Sequence, residues 1–140
     1  MSWLLDTNVV SELRRPVRTS RALTEWAAHQ DPSLLFISAM TIVELETGVC
    51  RKERTDPLQG AVLRRWLDGN VIPAFEGRTL PVDARVAVRA GSLHVPDPKP
   101  STDALIAATA MVHGLTVVTR NARDFTPLGV PVLNPWSQER

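Results

Sequence analysis

The stretch STDALIAATAMVHGLTVVTRNARDF, residues 101–125, decides the fold. Its first half is apolar on nearly every side, which predicts a buried helix that ends at His113, just before Gly114. The run Leu115–Val118 follows at once and predicts a short buried strand. A buried helix that leads directly into a buried strand is typical of a parallel sheet with helices on both faces.

The remainder of the chain repeats this alternation of strand and helix. Further strands are predicted at residues 2–5 and 34–38, near Arg78–Val82, and at residues 130–134. Helices are predicted over Asn8–Arg15, Arg18–His29, Ser38 (as N-cap) to Lys52, Asp56–Leu67, Ala84–Leu93 and Ser101 (as N-cap) to His113, with a break at Asp68-Gly69-Asn70. The pattern predicts an α/β fold, and 140 residues suit a single domain over residues 1–140.

The bulk properties indicate a cytoplasmic protein that does not enter a membrane. No apolar run approaches the roughly 18 residues of a membrane span, and the N-terminus lacks the basic region of a signal peptide. Cys50 is the single cysteine, so we interpret it as a small apolar helix residue. The three histidines are scattered without metal-ligand spacing, and no glycine-rich nucleotide-binding motif is present, which disfavours zinc hydrolysis and nucleotide cofactors.

The charge balance leaves the question of a nucleic-acid partner open. The net charge is +1, yet arginine, which binds phosphate through two hydrogen bonds, supplies fourteen of the sixteen cations. The codon bias of a GC-rich genome would produce the same enrichment. Basic clusters occur at Arg14, Arg15, Arg18 and Arg21, at Arg51, Lys52 and Arg54, and at Arg64 and Arg65. They are expected to form either basic rims that attract a polyanion or ordinary solvated helix faces.

Four carboxylates occupy positions that an α/β fold brings to one edge of its sheet: Asp6 after the first strand, Asp124 after the fourth, and Glu44 and Asp103 on helices. Ligands of open parallel sheets bind outside the carboxyl ends of the strands. Four acids gathered there would repel one another unless a cation neutralises them, and oxygen ligands suit Mg²⁺ or Mn²⁺. The layout predicts a metal-dependent phosphodiesterase. The alternative is that the aspartates only cap helices and the glutamate is solvated.

Two local patterns strengthen the first interpretation. Glu44 has mostly apolar neighbours and shares a helix face with Gly48, a glycine that suggests close approach of another group to that face. After the fourth strand, Thr119 and Asn121 precede Asp124, and both side chains are suited to bind water or an oxygen-rich ligand.

Several strings resemble one family over nearly the whole chain and in the same order. LLDTNVVSEL, ISAMTIVELETG, DALIAATAMVHGLTVVTRNARDF and GVPVLNPW are similar to the PIN-domain toxins of bacterial toxin–antitoxin pairs, the VapC ribonucleases, with the greatest likeness to a FitB-like subgroup. Residues 50–82 and the loop HVPDPKP match less closely. The resemblance implies a three-layer α/β/α sandwich on a five-stranded parallel sheet of order 3-2-1-4-5.

The resemblance also implies a function and a set of site residues. Asp6, Glu44, Asp103 and Asp124 correspond to the acids of the family, which cleaves RNA with Mg²⁺ or Mn²⁺, and Thr119 and Asn121 correspond to its hydroxyl and amide. A VapB-like or FitA-like antitoxin would silence the protein by inserting a basic residue among the acids, and would alone contact promoter DNA. We expect a homodimer within a larger toxin–antitoxin assembly, because the helices near Trp26 and Trp66 are predicted to expose apolar patches. The alternatives are a non-catalytic PIN-like binding module and a metal-dependent DNA nuclease.

Overall fold

A five-stranded parallel sheet forms the centre of the molecule. The computed structural model describes residues 1–14 and 20–138. The strands are β1 (Trp3–Leu5), β2 (Leu35–Ser38), β3 (Thr79–Leu80), β4 (Thr116–Val118) and β5 (Val132–Leu133). Their order across the sheet is β3-β2-β1-β4-β5, and every neighbouring pair is parallel. The expected sheet order is therefore confirmed, although β3 and β5 are shorter than predicted.

Eight α-helical segments connect and cover these strands in the part of the chain that is described. They are α1 (Thr7–Leu13), α2 (Arg21–Ala28), α3 (Ala39–Thr55), α4 (Pro57–Trp66), α5 (Ile72–Ala74), α6 (Ala84–Ser92), α7 (Ser101–His113) and α8 (Ala122–Phe125). The predicted helices are all present, with ends that shift by a few residues. The predicted end of the first helix at Arg15 and start of the second at Arg18 lie outside the described residues.

The alternation of side chains along the strands builds two cores, one on each face of the sheet. On one face Leu5, Ile37 and Val118 pack with residues of α1, α2, α3 and the segment after α4. On the other face Leu4 and Val117 pack with α7 and with the segment from Phe125 to Val130. Helix α6 lies outside α7 and packs against it through a smaller cluster. The molecule is the three-layer α/β/α sandwich that the resemblance implied.

The helix-end predictions at Ser38 and Gly114 are confirmed, and the one at Ser101 is wrong. The Ser38 hydroxyl accepts a hydrogen bond from the Met40 N–H at 2.9 Å, so Ser38 caps α3 as predicted. Gly114 ends α7 in the left-handed conformation, with φ of 67°, which a glycine adopts without steric cost. The prediction that Ser101 caps α7 is wrong: Pro100 occupies the cap position without a side-chain bond, and Ser101 is the first helical residue.

The predicted break at Asp68-Gly69-Asn70 is also wrong. Residues Leu67–Val71 form a π-helical turn that continues α4 into α5. Leu67 and Val71 are both buried in the first core, so packing holds the chain helical where the local glycine and asparagine favour a turn. Local propensity is overridden here by tertiary contact.

Helices α3 and α4 form a tight antiparallel hairpin that the sequence did not reveal. A Cβ at Gly60 would lie 2.4 Å from the Cα of Glu53, so only glycine permits this approach of the two backbones. Cys50 is exposed on the hairpin and donates to a Glu46 oxygen at 3.0 Å, which corrects its interpretation as a small apolar residue. The hairpin surface at this point is polar.

The expected apolar surface is present near Trp66 but not near Trp26: Leu58 and Val62 of α4 are 82% and 41% exposed, whereas the described residues of α2 expose no large apolar side chain. Both rings are half-buried and pack against the first core, Trp26 edge-on to Trp3 with 5.3 Å between centroids, while the Arg14 guanidinium lies 5.7 Å from the Trp66 ring centroid. The exposed apolar side chains of α4 leave a surface that a second copy could cover, and dimerisation remains a prediction. No helix among residues 1–14 and 20–138 has both the length and the apolar character needed to cross a bilayer.

Candidate active site

The topology places the ends of β1 and β4 side by side at the centre of the sheet. From β1 the chain adds β2 and β3 to one side of the sheet, and later β4 and β5 to the other side. The gap between the ends of β1 and β4 is therefore the kind of switch point where α/β folds bind ligands. Asp6 directly follows β1, and its N–H bonds the carbonyl of Val118 at the end of β4. Thr119 directly follows Val118. Residues more than 110 positions apart are thus joined by the sheet itself.

Asp6 is held by three hydrogen bonds at the base of the cleft. Its Oδ2 accepts from the Thr119 hydroxyl at 2.8 Å and from the Asn8 amide at 3.1 Å, and its Oδ1 accepts from the Thr7 N–H at 2.8 Å. The side chain also caps α1, so the capping and site interpretations of Asp6 are compatible. Burial raises the pKa of Asp6, opposed by the Thr119 and Thr7 hydrogen bonds and assisted by the charges of Glu44 and Asp124.

Glu44 faces Asp6 from the second turn of α3. Its Oε1 accepts a hydrogen bond from the Thr7 hydroxyl at 2.5 Å, and the Thr7 oxygen lies 3.1 Å from the hydroxyl oxygen of Thr41. Thr41 is fully buried on the same helix face as Glu44, one turn earlier. The Glu44 carboxylate is therefore oriented by Thr7 of α1, and Thr7 in turn contacts Thr41 of α3.

Asp103 lies in the first turn of α7 and is half-buried. Burial, followed by the charges of Asp6, Asp124 and Glu44, raises the pKa of Asp103 to about 6. Each of the other three acids contributes to this shift, so all four lie within electrostatic range of one another. The structure brings together the acids that the sequence spread over almost the whole chain.

A cleft of about 440 Å³ lies above these residues. Three of the acids line it, together with Thr7, Asn8, Ser11, Glu12 and Asn121. Asp124 is exposed in the first turn of α8 and does not line the cleft, but its charge acts on Asp6 and Asp103. The Asn121 N–H donates to the Thr119 hydroxyl at 3.0 Å, which ties the loop after β4 to Asp6.

Asp6, Glu44, Asp103 and Asp124 form no ion pair with a cationic side chain within the described part of the chain. Among the described residues, no three Asp, Glu, His or Cys side chains stand in a ready-made metal-binding arrangement. Burial is the main cause of the raised pKa values of Asp6 and Asp103, and repulsion from the neighbouring acids adds to it. A set of oxygen donors that lacks only positive charge fits a hard divalent cation.

Two expectations about the surroundings of the cleft are wrong. No group lies within 4 Å of a Cβ built at Gly48, so the close approach predicted for that face of α3 is absent. Arg64 does not form a basic rim, because its guanidinium contacts Glu46 at 2.7 Å, Glu53 at 3.0 Å and Asp68 at 3.4 Å. Arg64 therefore stabilises the α3–α4 hairpin instead.

Sequence reasoning missed two members of the site. Thr7 contacts both Asp6 and Glu44, and Thr41 contacts Thr7. The available signal was position: Thr7 lies between Asp6 and Asn8 at the end of β1, and Thr41 precedes Glu44 by three residues on one helix face. The Asn8 side chain also connects two parts of the site, because its amide N–H donates to Asp6 and its oxygen accepts from the N–H of Arg120 in the loop after β4.

Comparisons with known proteins agree with this geometry. The family model described as PIN domain matches residues 3–128. The VapC ribonuclease Y4jK of Sinorhizobium fredii is 36% identical over 95% of this chain and 96% of its own. Toxin FitB of Neisseria gonorrhoeae is also 36% identical, over 95% of this chain and 97% of its own.

A solved structure extends the likeness to three dimensions. The structure of FitAB bound to the IR36 DNA fragment contains a chain that is 32% identical to this one. It superposes with a TM-score of 0.84 and covers 99% of this chain and 98% of its own. The chain belongs to the PIN-domain family, in the VapC/FitB type of toxin ribonucleases of type II toxin–antitoxin systems.

Proposed function

We propose that this protein is an endoribonuclease that depends on Mg²⁺ or Mn²⁺ bound by Asp6, Glu44, Asp103 and Asp124. The observation that carries the proposal is a cluster of four acids at the switch point of the sheet, with no ion pair to a cationic side chain among the described residues. Burial, and to a smaller extent repulsion among the acids, raises the pKa values of Asp6 and Asp103, and a bound divalent cation would offset both effects. When bound, it would activate a water and offset charge on the phosphoryl oxygens.

The residues of the cleft divide into two groups by role. Asp6, Glu44 and Asp103 line the cleft and would hold the ion. Asp124, which is exposed, would act with Thr119 and Asn121 to position the attacking water. Thr119 would also help to orient Asp6, because its hydroxyl donates to Asp6 Oδ2 at 2.8 Å and so restricts the rotation of the Asp6 carboxylate.

The substrate is an RNA backbone, bound beside the acids by cationic side chains. Arg120 follows Thr119 directly, and its backbone N–H lies 3.4 Å from the Asn8 oxygen at the cleft wall. Its guanidinium lies 5.4 Å from the centroid of the Trp136 ring, a contact that limits the positions of this long side chain. Arg120, together with Arg123 on α8, would contact phosphates that flank the cleaved bond.

A cognate antitoxin of the FitA or VapB type would keep the enzyme silent. The similar FitAB structure is a complex bound to DNA, which supports a partner that also carries the contact with promoter DNA. We propose that this antitoxin places an arginine or lysine among the four acids, where a cation is favoured for the same reason as a metal ion. The toxin itself would form a homodimer within a larger complex. Co-expression with the product of the neighbouring gene is expected to yield a stable complex, and a partner that stays clear of the four acids would contradict the masking model.

A cleavage assay on matched RNA and DNA tests the catalytic proposal. The purified protein should cut a structured RNA in the presence of Mn²⁺, stop when EDTA is added, and leave DNA of the same sequence intact. Cleavage of RNA that persists in EDTA would contradict the metal requirement. Cleavage of DNA alone would favour a DNA nuclease, and binding without cleavage of either would favour a non-catalytic module.

A further inference from the structure

The carboxylate of Glu44 is held across the cleft by a short chain of hydroxyl groups. The Thr7 hydroxyl oxygen lies 2.5 Å from Glu44 Oε1 and 3.1 Å from the Thr41 hydroxyl oxygen. The first distance is typical of a hydroxyl that donates to a carboxylate. Thr7 belongs to α1, whereas Thr41 and Glu44 belong to α3, so the chain of hydroxyls also joins two helices.

The direction of the chain follows from the number of protons. A hydroxyl donates one hydrogen and accepts others, and a carboxylate accepts only. The proton of Thr7 is therefore directed to Glu44, and Thr41 must donate its own proton to the Thr7 oxygen. Because Thr41 is fully buried, leaving its hydroxyl without a hydrogen-bond partner would be energetically costly.

Thr7 also contacts a second acid. Its backbone N–H donates to Asp6 Oδ1 at 2.8 Å while its side chain donates to Glu44. One residue therefore sets the positions of two carboxylates that repel each other, as the effect of Glu44 on the pKa of Asp6 shows. A valine in this place would keep the bond to Asp6 and lose the bond to Glu44.

We propose that Thr7, supported by Thr41, is a positioning residue that fixes the Glu44 carboxylate relative to Asp6 for binding of the divalent cation. This inference rests on the proposed function, because it concerns how the same cleft is prepared for its ion. Partners that orient ligands typically change metal affinity by about 10- to 100-fold when they are removed. Asp6 has three such partners, and Glu44 depends on this single chain among the described side chains.

The test compares Mn²⁺ binding by three variants in the absence of RNA. Thr7→Val should weaken Mn²⁺ binding, measured by calorimetry, by about 10- to 100-fold. Thr7→Ser retains the hydroxyl and should bind within a few-fold of wild type. Thr47→Val is the matched control, because Thr47 lies on α3 with Glu44 but is exposed and donates only to the Val43 carbonyl of its own helix. It should bind Mn²⁺ as wild type does.

The outcomes separate this inference from the proposed function. If wild type binds Mn²⁺ and Thr7→Val binds it equally well, positioning by Thr7 is wrong while the metal site stands. If Thr7→Ser is as weak as Thr7→Val, the hydroxyl is not responsible and the inference is overturned.

A metal-free crystal structure of Thr7→Val gives a second readout that does not depend on metal binding. The Glu44 carboxylate should leave its place opposite Asp6 in that structure. If wild type neither binds Mn²⁺ nor cleaves RNA, the proposed function fails. The position of Glu44 in the variant then decides alone whether Thr7 sets it, and an unchanged position would overturn the inference.

Discussion

Two clusters of acids in this molecule solve the same electrostatic problem in opposite ways. In the α3–α4 hairpin, Glu46, Glu53 and Asp68 surround Arg64, which holds the pKa of Glu46 down to about 2. In the cleft, four acids have no ion pair within the described residues, and the pKa of Asp103 rises to about 6. The acids of the first cluster are neutralised by an arginine beside them, and those of the second have no such partner among the described residues.

The direction of the pKa shift and the presence of a neighbouring arginine distinguish acids that stabilise the fold from acids that bind a ligand. Acid clusters of both kinds look alike in composition, and most of their members lie on helices. A pKa lowered by a neighbouring arginine, as at Glu46, indicates an acid that stabilises the fold. Raised pKa values at a switch point, as at Asp6 and Asp103, indicate acids that bind a ligand. Substitutions in each cluster separately are expected to have different effects on cleavage and on stability.

The largest effect is expected from Asp6→Asn. The change keeps the shape of the side chain and removes one of the charges that line the cleft. RNA cleavage should fall by more than about 100-fold, since Asp6 would hold the ion directly and outer partners alone contribute 10- to 100-fold. The apo protein should melt at the same temperature or slightly higher, because one source of repulsion is gone.

Asp83→Asn provides the matched control for this change. Asp83 caps α6 through a bond from the Val86 N–H at 3.0 Å, away from the acids of the cleft. Asparagine caps nearly as well as aspartate, so both stability and cleavage should be preserved. If Asp6→Asn behaves like Asp83→Asn in the cleavage assay, Asp6 is only a cap and the site assignment fails.

A smaller effect, confined to the hairpin, is expected from Arg64→Met. Without the guanidinium, the pKa of Glu46 should rise from about 2 toward its ordinary 4.5, which NMR titration of the glutamate carboxyl carbons can measure. Glu46 contributes stability above the unfolded pKa of 4.5 that is lost as pH falls toward 2. The variant should lose that contribution and cut RNA at the wild-type rate per folded molecule. A fall in cleavage would mean that the two clusters are coupled.

The pH dependence of stability should have the opposite sign for the cleft. The pKa of Asp103 rises on folding from 3.8 to about 6, so the folded protein binds the proton more tightly than the unfolded chain does. The stability that this proton contributes is present below pH 3.8 and is lost as pH rises through 6. Urea unfolding in EDTA should show this decline, and Asp103→Asn should reduce it. A wild-type protein that gains stability across that window would contradict the assignment.

The smallest effect is expected from Asp124→Asn. Asp124 is exposed and does not line the cleft, so it would help to position water and would not be a main ligand. Cleavage should fall only a few-fold, while Mn²⁺ binding measured by calorimetry should change little. A loss equal to that of Asp6→Asn would place Asp124 among the primary ligands.

The sequence was sufficient to predict the sheet and the four acids because both depend on local patterns. Apolar runs identify strands, and residues such as Asp6 and Thr119 follow strands directly. Once the strands are parallel, their carboxyl ends must share one edge. The order of the strands came from resemblance to a family, since alternation alone allows several orders.

The contacts that the sequence could not reveal join residues that are distant along the chain. Thr7 and Glu44 are 37 positions apart, and Arg64 and Glu46 are 18 apart, so composition did not distinguish a basic rim from an internal ion cluster. Gly60 was unremarked because its reason is the backbone of Glu53 on another helix. The π-helical turn at Leu67–Val71 was missed because burial outweighs the local preference of Gly69 and Asn70.

The most direct test of the account is a titration of Mn²⁺ into the metal-free protein, followed by electron paramagnetic resonance. Three proteins are compared: wild type, Asp103→Asn from the cleft, and Glu53→Gln from the hairpin. Wild type and Glu53→Gln are expected to bind Mn²⁺ with equal affinity, and Asp103→Asn is expected to bind it at least about tenfold more weakly. Binding that survives Asp103→Asn and is lost in Glu53→Gln would contradict it.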